Sequence, residues 1–317
     1  MPFGSDPFLH DQDDFDDLIL VVSGDSGIPP QLVEKDYWIM HCLFGLTAQG
    51  LSFHLKGGTS LSKGYNIINR FSEDIDIQID PPEGMVVKFG KKKSHIQSRE
   101  EFFSWLVSEI KIPGIDKVEV DHAYDDPTGK FRNVGIQLKY PSTLDQLKGV
   151  KDGVLLEVGF DDVTPNDPVD ISSWAYNKAQ EQGVSFADNL ACGIKCYRPE
   201  YTFVEKLQTV STKYRQQQES GEFQANFLRH YYDIYCLLDY SDVQKFIGTE
   251  RYGAHKERRF RAQDEQEIKK NEAFLFSAPG VREQYRLEYE KTADLYYKGM
   301  IPFDSILERI QQNIDKL

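Results

Sequence analysis

The segment Asp74-Ile75-Asp76-Ile77-Gln78-Ile79-Asp80 admits few structures. It alternates strictly between polar and apolar residues, the pattern of a half-buried strand. Side chains alternate faces along a strand, so Ile75, Ile77 and Ile79 turn into a core. Asp74 and Asp76 share the opposite face, with Gln78 and Asp80 behind them. Two carboxylates spaced about 6–7 Å apart at their Cα atoms repel each other. The simplest way to hold them there is a divalent cation, and hard oxygen donors of this kind suit magnesium. Upstream, Lys56-Gly57-Gly58-Thr59-Ser60 reads as a glycine turn that opens a helix. A metal beside a glycine turn and a helix N-terminus is chemistry for nucleoside triphosphates.

The surrounding pattern is a mixed α+β first half. Helical periodicity covers residues 31–48, after Pro29-Pro30, and residues 59–68. Strands are expected at 53–55, 74–79, 118–122, 133–139 and 154–160, with a helix at 100–109. Residues 81–98 form a long loop rich in Pro, Gly and Lys, suited to a flap or a substrate loop. From about residue 172 helical texture dominates, with helices expected at 200–214, 223–238, 264–274, 282–297 and 303–314. The boundary between the two halves falls within residues 161–185.

Nucleotidyl transfer supported by two metal ions needs a third carboxylate on a neighbouring strand. Glu157 is the candidate: Val154, Leu156, Val158 and Phe160 form one apolar face of its strand, and Glu157 is the lone charge on the other. A charge at mid-strand is costly unless it meets water, a partner or a metal; the alternative is a solvated sheet face. Lys206 and Asp233 each lie among apolar residues on expected helices. Lys206 could neutralise a triphosphate, and Asp233 could orient that lysine or receive part of the acceptor. Alternatively the two form an internal ion pair that holds two helices together. His230 and the tyrosines at 231, 232 and 235 read as helix packing before they read as cleft residues.

The 317-residue chain has a formal net charge of −14, the opposite of most nucleic-acid binders. Positive charge gathers at Lys88, Lys91, Lys92 and Lys93, and at Lys256, Arg258, Arg259 and Arg261, the two places where a phosphate backbone could dock. No apolar run is long enough to span a bilayer, and Met1–Asp6 lacks the order of a signal peptide, so a cytoplasmic location without membrane attachment is expected. Cys42, Cys192, Cys196 and Cys236 do not assemble a zinc site by spacing.

Two motifs together, Lys56-Gly57-Gly58-Thr59-Ser60-Leu61 and Arg70-Phe71-Ser72-Glu73-Asp74-Ile75-Asp76, resemble the nucleotidyltransferase toxins of the AbiEii/AbiGii type, relatives of the MenT toxins. The resemblance extends upstream to Val33-Glu34-Lys35-Asp36-Tyr37-Trp38. Downstream it reaches Glu205-Lys206-Leu207 and Tyr232-Asp233-Ile234-Tyr235. It implies a DNA polymerase beta-like nucleotidyltransferase core over residues 1–170, with N-terminal helices, and a helical C-terminal domain over 171–317 that completes the active site. It implies that Gly57, Gly58, Thr59 and Ser60 cradle the phosphates of an NTP, with Ser72 beside them. Asp74 and Asp76 bind metal, Lys206 contacts the triphosphate, and Asp233 completes the site. Such enzymes transfer nucleotides from an NTP to an acceptor, in some members the 3′ end of tRNA. They are encoded beside an antitoxin and act in phage defence, and in some relatives an antitoxin kinase modifies a serine in the region of Ser72. A protein or small-molecule hydroxyl as acceptor, or a non-catalytic nucleotide-binding module, are the alternatives.

Overall fold

The computed structural model describes residues 6–145, 147, 150–224 and 227–317. Two compact units emerge from it: Met1–Gly64 with Ser72–Tyr197, and Tyr65–Phe71 with Arg198–Leu317. The division falls after Tyr197, later than the change of texture expected over 161–185.

Among the described residues the first unit holds one seven-stranded mixed sheet. Its strands are β1 (Phe53–Lys56), β2 (Asp74–Ile79), β3 (Lys117–Asp121), β4 (Asn133–Lys139), β5 (Val154–Gly159), β6 (Asn166–Ile171) and β7 (Ala191–Tyr197). Their spatial order is β3-β4-β5-β2-β1-β7-β6. β2 therefore lies at the centre, antiparallel to β1 and parallel to β5. Ile75, Ile77 and Ile79 are wholly buried. Ile75 stands opposite Leu156 and Ile77 opposite Val158, so one apolar face runs across both strands.

The helices of this unit are α1 (Phe15–Ser26), α2 (Pro30–Ala48), α3 (Gly57–Thr59), α4 (Lys93–Glu109) and α5 (Trp174–Gln182). Pro30 starts α2, where its missing N–H costs nothing. Every residue of α2 from Leu32 to Leu43 is buried, because α1, α5, β5 and β7 all pack against it. Three charged residues, Glu34, Lys35 and Asp36, are buried with the rest. Asp36 is satisfied by Lys63 Nζ at 2.8 Å and by the first backbone N–H of α5 at 2.8 Å.

α3 continues as a π-helical turn, Ser60–Gly64. The helix expected to run to residue 68 stops there, because Asn66 adopts a left-handed backbone (φ 53°) that no helix continues through. The sheet also extends past residue 171, where helical texture was expected to dominate. β6 carries Pro168, and it is an edge strand, the place where a missing donor is tolerated.

The second unit is helical: α6 (Pro199–Ser220), α7 (Arg229–Leu237), α8 (Ser241–Phe246), α9 (Glu250–Arg259), α10 (Glu272–Leu275), α11 (Pro279–Glu290) and α12 (Phe303–Asn313). Of the helix expected over 223–238, Ala225 and Asn226 lie outside the described residues, and α7 occupies the rest from Arg229. Tyr231, Tyr285 and Tyr289 are fully buried and pack with Phe276 and Phe303, as the ring spacing of 5.3 Å between Tyr231 and Phe303 shows. Tyr231, Tyr232, Tyr285, Tyr289 and Tyr296 are core residues, while Tyr235 and Tyr297 are half-buried.

Candidate active site

Strand register assembles the acidic group. On β2, Asp76 stands opposite Glu157 of β5 on one side and Lys56 of β1 on the other. Paired residues on adjacent strands share a face, so Asp74, Asp76 and Glu157 project together from the side of the sheet opposite the isoleucines. Glu157 responds to its surroundings. Burial, then the charges of Asp76 and Asp74, push its carboxyl up to about 8. Burial also raises Asp74 above the ordinary carboxylate range, with the ammonium of Lys151 pulling the other way.

The glycine turn fits against this group. Gly57 has a φ of 74°, and a Cβ there would collide with the Asp76 carboxylate. Only glycine serves both demands. Thr59 and Ser60 are wholly buried. Thr59 Oγ1 donates to the backbone oxygen of Asp74 at 2.5 Å, and Ser60 Oγ to that of Tyr197 at 3.5 Å. Both hydroxyls thus staple the turn to its flanking strands. Gly58 is buried and Gly57 half-buried, and Ser72 is half-buried at the approach to β2.

Two residues with no signal in the sequence complete the cluster. Lys151 Nζ lies 3.0 Å from Asp74 Oδ1 and 4.6 Å from the centre of the Tyr124 ring. The Tyr124 side chain packs over Gly135, where a Cβ would collide with it, and Gly135 stands opposite Glu157. A cleft of about 420 Å³ shares Lys151 with the cluster and is lined also by Glu119, Asp121, His122, Gln137 and Lys139. The three carboxylates match a hard divalent cation in donor chemistry. Among the described residues, however, no three His, Cys, Asp or Glu side chains stand at metal-holding geometry, and Lys151 occupies one oxygen of Asp74.

In the second unit the structure brings Lys206 and Asp233 together. Lys206 Nζ on α6 lies 3.0 Å from Asp233 Oδ2 on α7. Arg70 grips the same carboxylate bidentately, Nε to Oδ1 at 2.7 Å and Nη2 to Oδ2 at 2.8 Å. Asp233 is 0% exposed, Arg70 4% and Lys206 9%. Burial alone would raise the Asp233 carboxyl, but Arg70 and Lys206 hold it well below its ordinary value. Burial and the neighbouring Lys206 push the His230 imidazole down, and its Nδ1 lies 3.1 Å from Lys206 Nζ. Two cations therefore share one carboxylate, with a neutral imidazole beside them.

The family model described as "Nucleotidyl transferase AbiEii toxin, Type IV TA system" matches residues 38–309. The chain belongs to this family. It is a nucleotidyltransferase, of the toxin class of type IV toxin–antitoxin systems, and members of its class generally use divalent metals. No curated protein matches the chain. The match spans both units and every residue of the two clusters. No described helix of this AbiEii-family chain is long and apolar enough to cross a membrane. Arg70 was visible in the sequence as part of a motif, but nothing there marked it as the partner of Asp233, 163 residues away.

Proposed function

We propose that this AbiEii-family protein is a magnesium-dependent nucleotidyltransferase toxin that moves nucleotides from an NTP to the 3′ end of tRNA, acts in the cytoplasm in phage defence, and is restrained by a cognate antitoxin. The observation that carries the reading is the acidic row: Asp74, Asp76 and Glu157 on one face of adjacent strands, against a turn that must be glycine. Three carboxylates on one face, with Glu157 pushed up to about 8 by burial and then by the charges of Asp76 and Asp74, are a poor way to stabilise a sheet and a good way to bind cations. The sheet and turn are read as a DNA polymerase beta-like core.

In this reading Asp74, Asp76 and Glu157 hold magnesium, which when bound neutralises the triphosphate and lowers the pKa of an acceptor hydroxyl. Gly57 and Gly58 leave room for phosphate oxygens beside Asp76, while Thr59 and Ser60 shape the turn from within. Lys206, with the positive charge that Asp233 leaves over after pairing Arg70, attracts the anionic triphosphate. Asp233 fixes the lysine's position. Ser72, at the entry to β2, is the residue at which a phosphate added by an antitoxin kinase would place negative charge next to Asp74. The exposed lysines Lys88, Lys91, Lys92 and Lys93 support a polyanionic acceptor on an otherwise acidic protein.

The test is label transfer. The purified protein, given labelled NTPs, magnesium and a mixture of RNA, protein and small-molecule acceptors, should place label on tRNA. Asp76→Ala should abolish that transfer while leaving the thermal transition nearly unchanged, because Asp76 is half-buried and its side chain lies on the acidic face, away from the isoleucine core. Full activity in Asp76→Ala removes Asp76 from the site. Label on protein or a small molecule removes tRNA from the proposal but keeps the transferase.

A further inference from the structure

We propose that Lys151 is the resident counter-ion of the acidic row: its ammonium holds Asp74 while no nucleotide is bound, competes with a divalent cation for that carboxylate, and moves to the triphosphate when cation and nucleotide arrive together. The inference rests on the reading of Asp74, Asp76 and Glu157 as cation ligands.

The geometry separates what is fixed in Lys151 from what is free to move. Its backbone is clamped at both polar atoms. The peptide N–H donates to Glu73 Oε2 at 3.1 Å, and the carbonyl accepts from Lys35 Nζ at 2.7 Å. Lys35 and Glu73 lie 3.6 Å apart, and each is only 1% exposed. A buried ion pair of this kind is not an economical source of stability. Here it fixes the backbone of one residue next to Asp74, on both sides of its Cα, from residues 116 and 78 positions away in sequence.

The side chain is a different matter. It is 30% exposed, on a flexible four-carbon stem, and it already has a second favourable surface in the ring of Tyr124. A compact ammonium 3.0 Å from Asp74 Oδ1 stands where a cation ligated by that oxygen needs room. Both cannot hold the same oxygen at full strength. Phosphate oxygens offer the displaced ammonium another charge-assisted partner.

The test uses the full chain and manganese as the probe cation, followed by the electron paramagnetic resonance of free Mn²⁺ with no nucleotide present. Lys151→Met should bind Mn²⁺ about tenfold more tightly than wild type, and Lys151→Arg should not. Equal or weaker binding by Lys151→Met overturns the competition. With Mn²⁺ and a non-hydrolysable triphosphate together, Lys151→Met should hold the triphosphate roughly tenfold more weakly. Unchanged triphosphate affinity overturns the movement. Asp76→Asn separates this idea from the one beneath it. Mn²⁺ bound by wild type and lost in Asp76→Asn, with Lys151→Met unchanged from wild type, refutes the role of Lys151 alone. No Mn²⁺ bound by any of the proteins refutes the cation site as well. Because both clamps grip backbone atoms, Lys151→Met should keep the wild-type melting temperature.

Discussion

Replacing Asp233 by Asn separates a structural from a catalytic role for the second cluster. The substitution keeps the shape of the side chain and removes its charge. It leaves Arg70, 4% exposed, and Lys206, 9% exposed, without their shared counter-ion. The two Arg70 contacts at 2.7 and 2.8 Å cannot both survive, because one oxygen becomes an NH₂ that faces another donor. Breaking a buried ion pair by removing one partner costs about 3–5 kcal/mol, since the other charge stays buried and unpaired. In thermal unfolding that corresponds to a drop in Tm of roughly 6 °C or more. The pH dependence follows from the depressed carboxyl. Its stabilisation is fully present above the ordinary value of 3.8 and is lost as pH falls through the lower folded-state value. The deficit of Asp233→Asn relative to wild type should therefore be constant from pH 8 to pH 5 and shrink only in stronger acid. Urea or thermal unfolding of both proteins at four pH values measures it. A variant that loses label transfer yet unfolds with wild type would refute the structural reasoning and leave Asp233 with a purely catalytic task.

Two further outcomes test the first cluster. Gly57→Ala should cost about 1–2 kcal/mol for the left-handed backbone alone and should lower transfer activity sharply, because the new methyl meets the Asp76 carboxylate; thermal unfolding and label transfer read the two effects. Glu157 gives a pH signature in the chelator-treated protein. Burial and the neighbouring aspartates push its folded-state carboxyl up to about 8, against 4.5 ordinarily, so the folded state binds the extra proton and stability should fall as pH rises from about 5 to 8. Glu157→Gln should flatten that slope, and a slope unchanged by the substitution would contradict the raised carboxyl of Glu157.

What the sequence made legible was local. The alternation of β2, the turn at Gly57 and the lone charge of Glu157 on an apolar strand are patterns of a few residues, and the structure places β2 and β5 side by side in one sheet with the turn at the end of neighbouring β1. Lys206 and Asp233 stood out for the same reason, as charges among apolar neighbours, and they do meet. What was not legible depended on long-range pairing. Lys151 reaches Asp74 across 77 residues. β6 reads Asn-Asp-Pro-Val-Asp-Ile, with too many polar residues and a proline to announce a strand, and only its edge position makes that composition tolerable. In β7 the left-handed Gly193 (φ 62°) interrupts the alternation.

The same few residues also explain why a glutamate precedes the two aspartates. Burial alternates back through the approach to β2: Phe71 is buried, Ser72 half-buried, Glu73 buried, Asp74 half-buried, Ile75 buried. Glu73 thus turns to the isoleucine side while Asp74 and Asp76 turn to the other. A carboxylate sent into a core needs a cation, and α2 supplies Lys35 at 3.6 Å. Burial lowers that lysine's hold on its proton, Glu73 and Asp74 restore part of it, and its remaining hydrogen-bonding capacity goes to the carbonyl of Lys151. One alternating stretch therefore does two jobs through opposite faces. Its inward carboxylate anchors the peptide of Lys151, and its outward carboxylates receive the side chain of that same residue. An alanine at Glu73 would release the anchor without touching the acidic row, so Lys35 would be left buried and unpaired beside a Lys151 free to drift from Asp74.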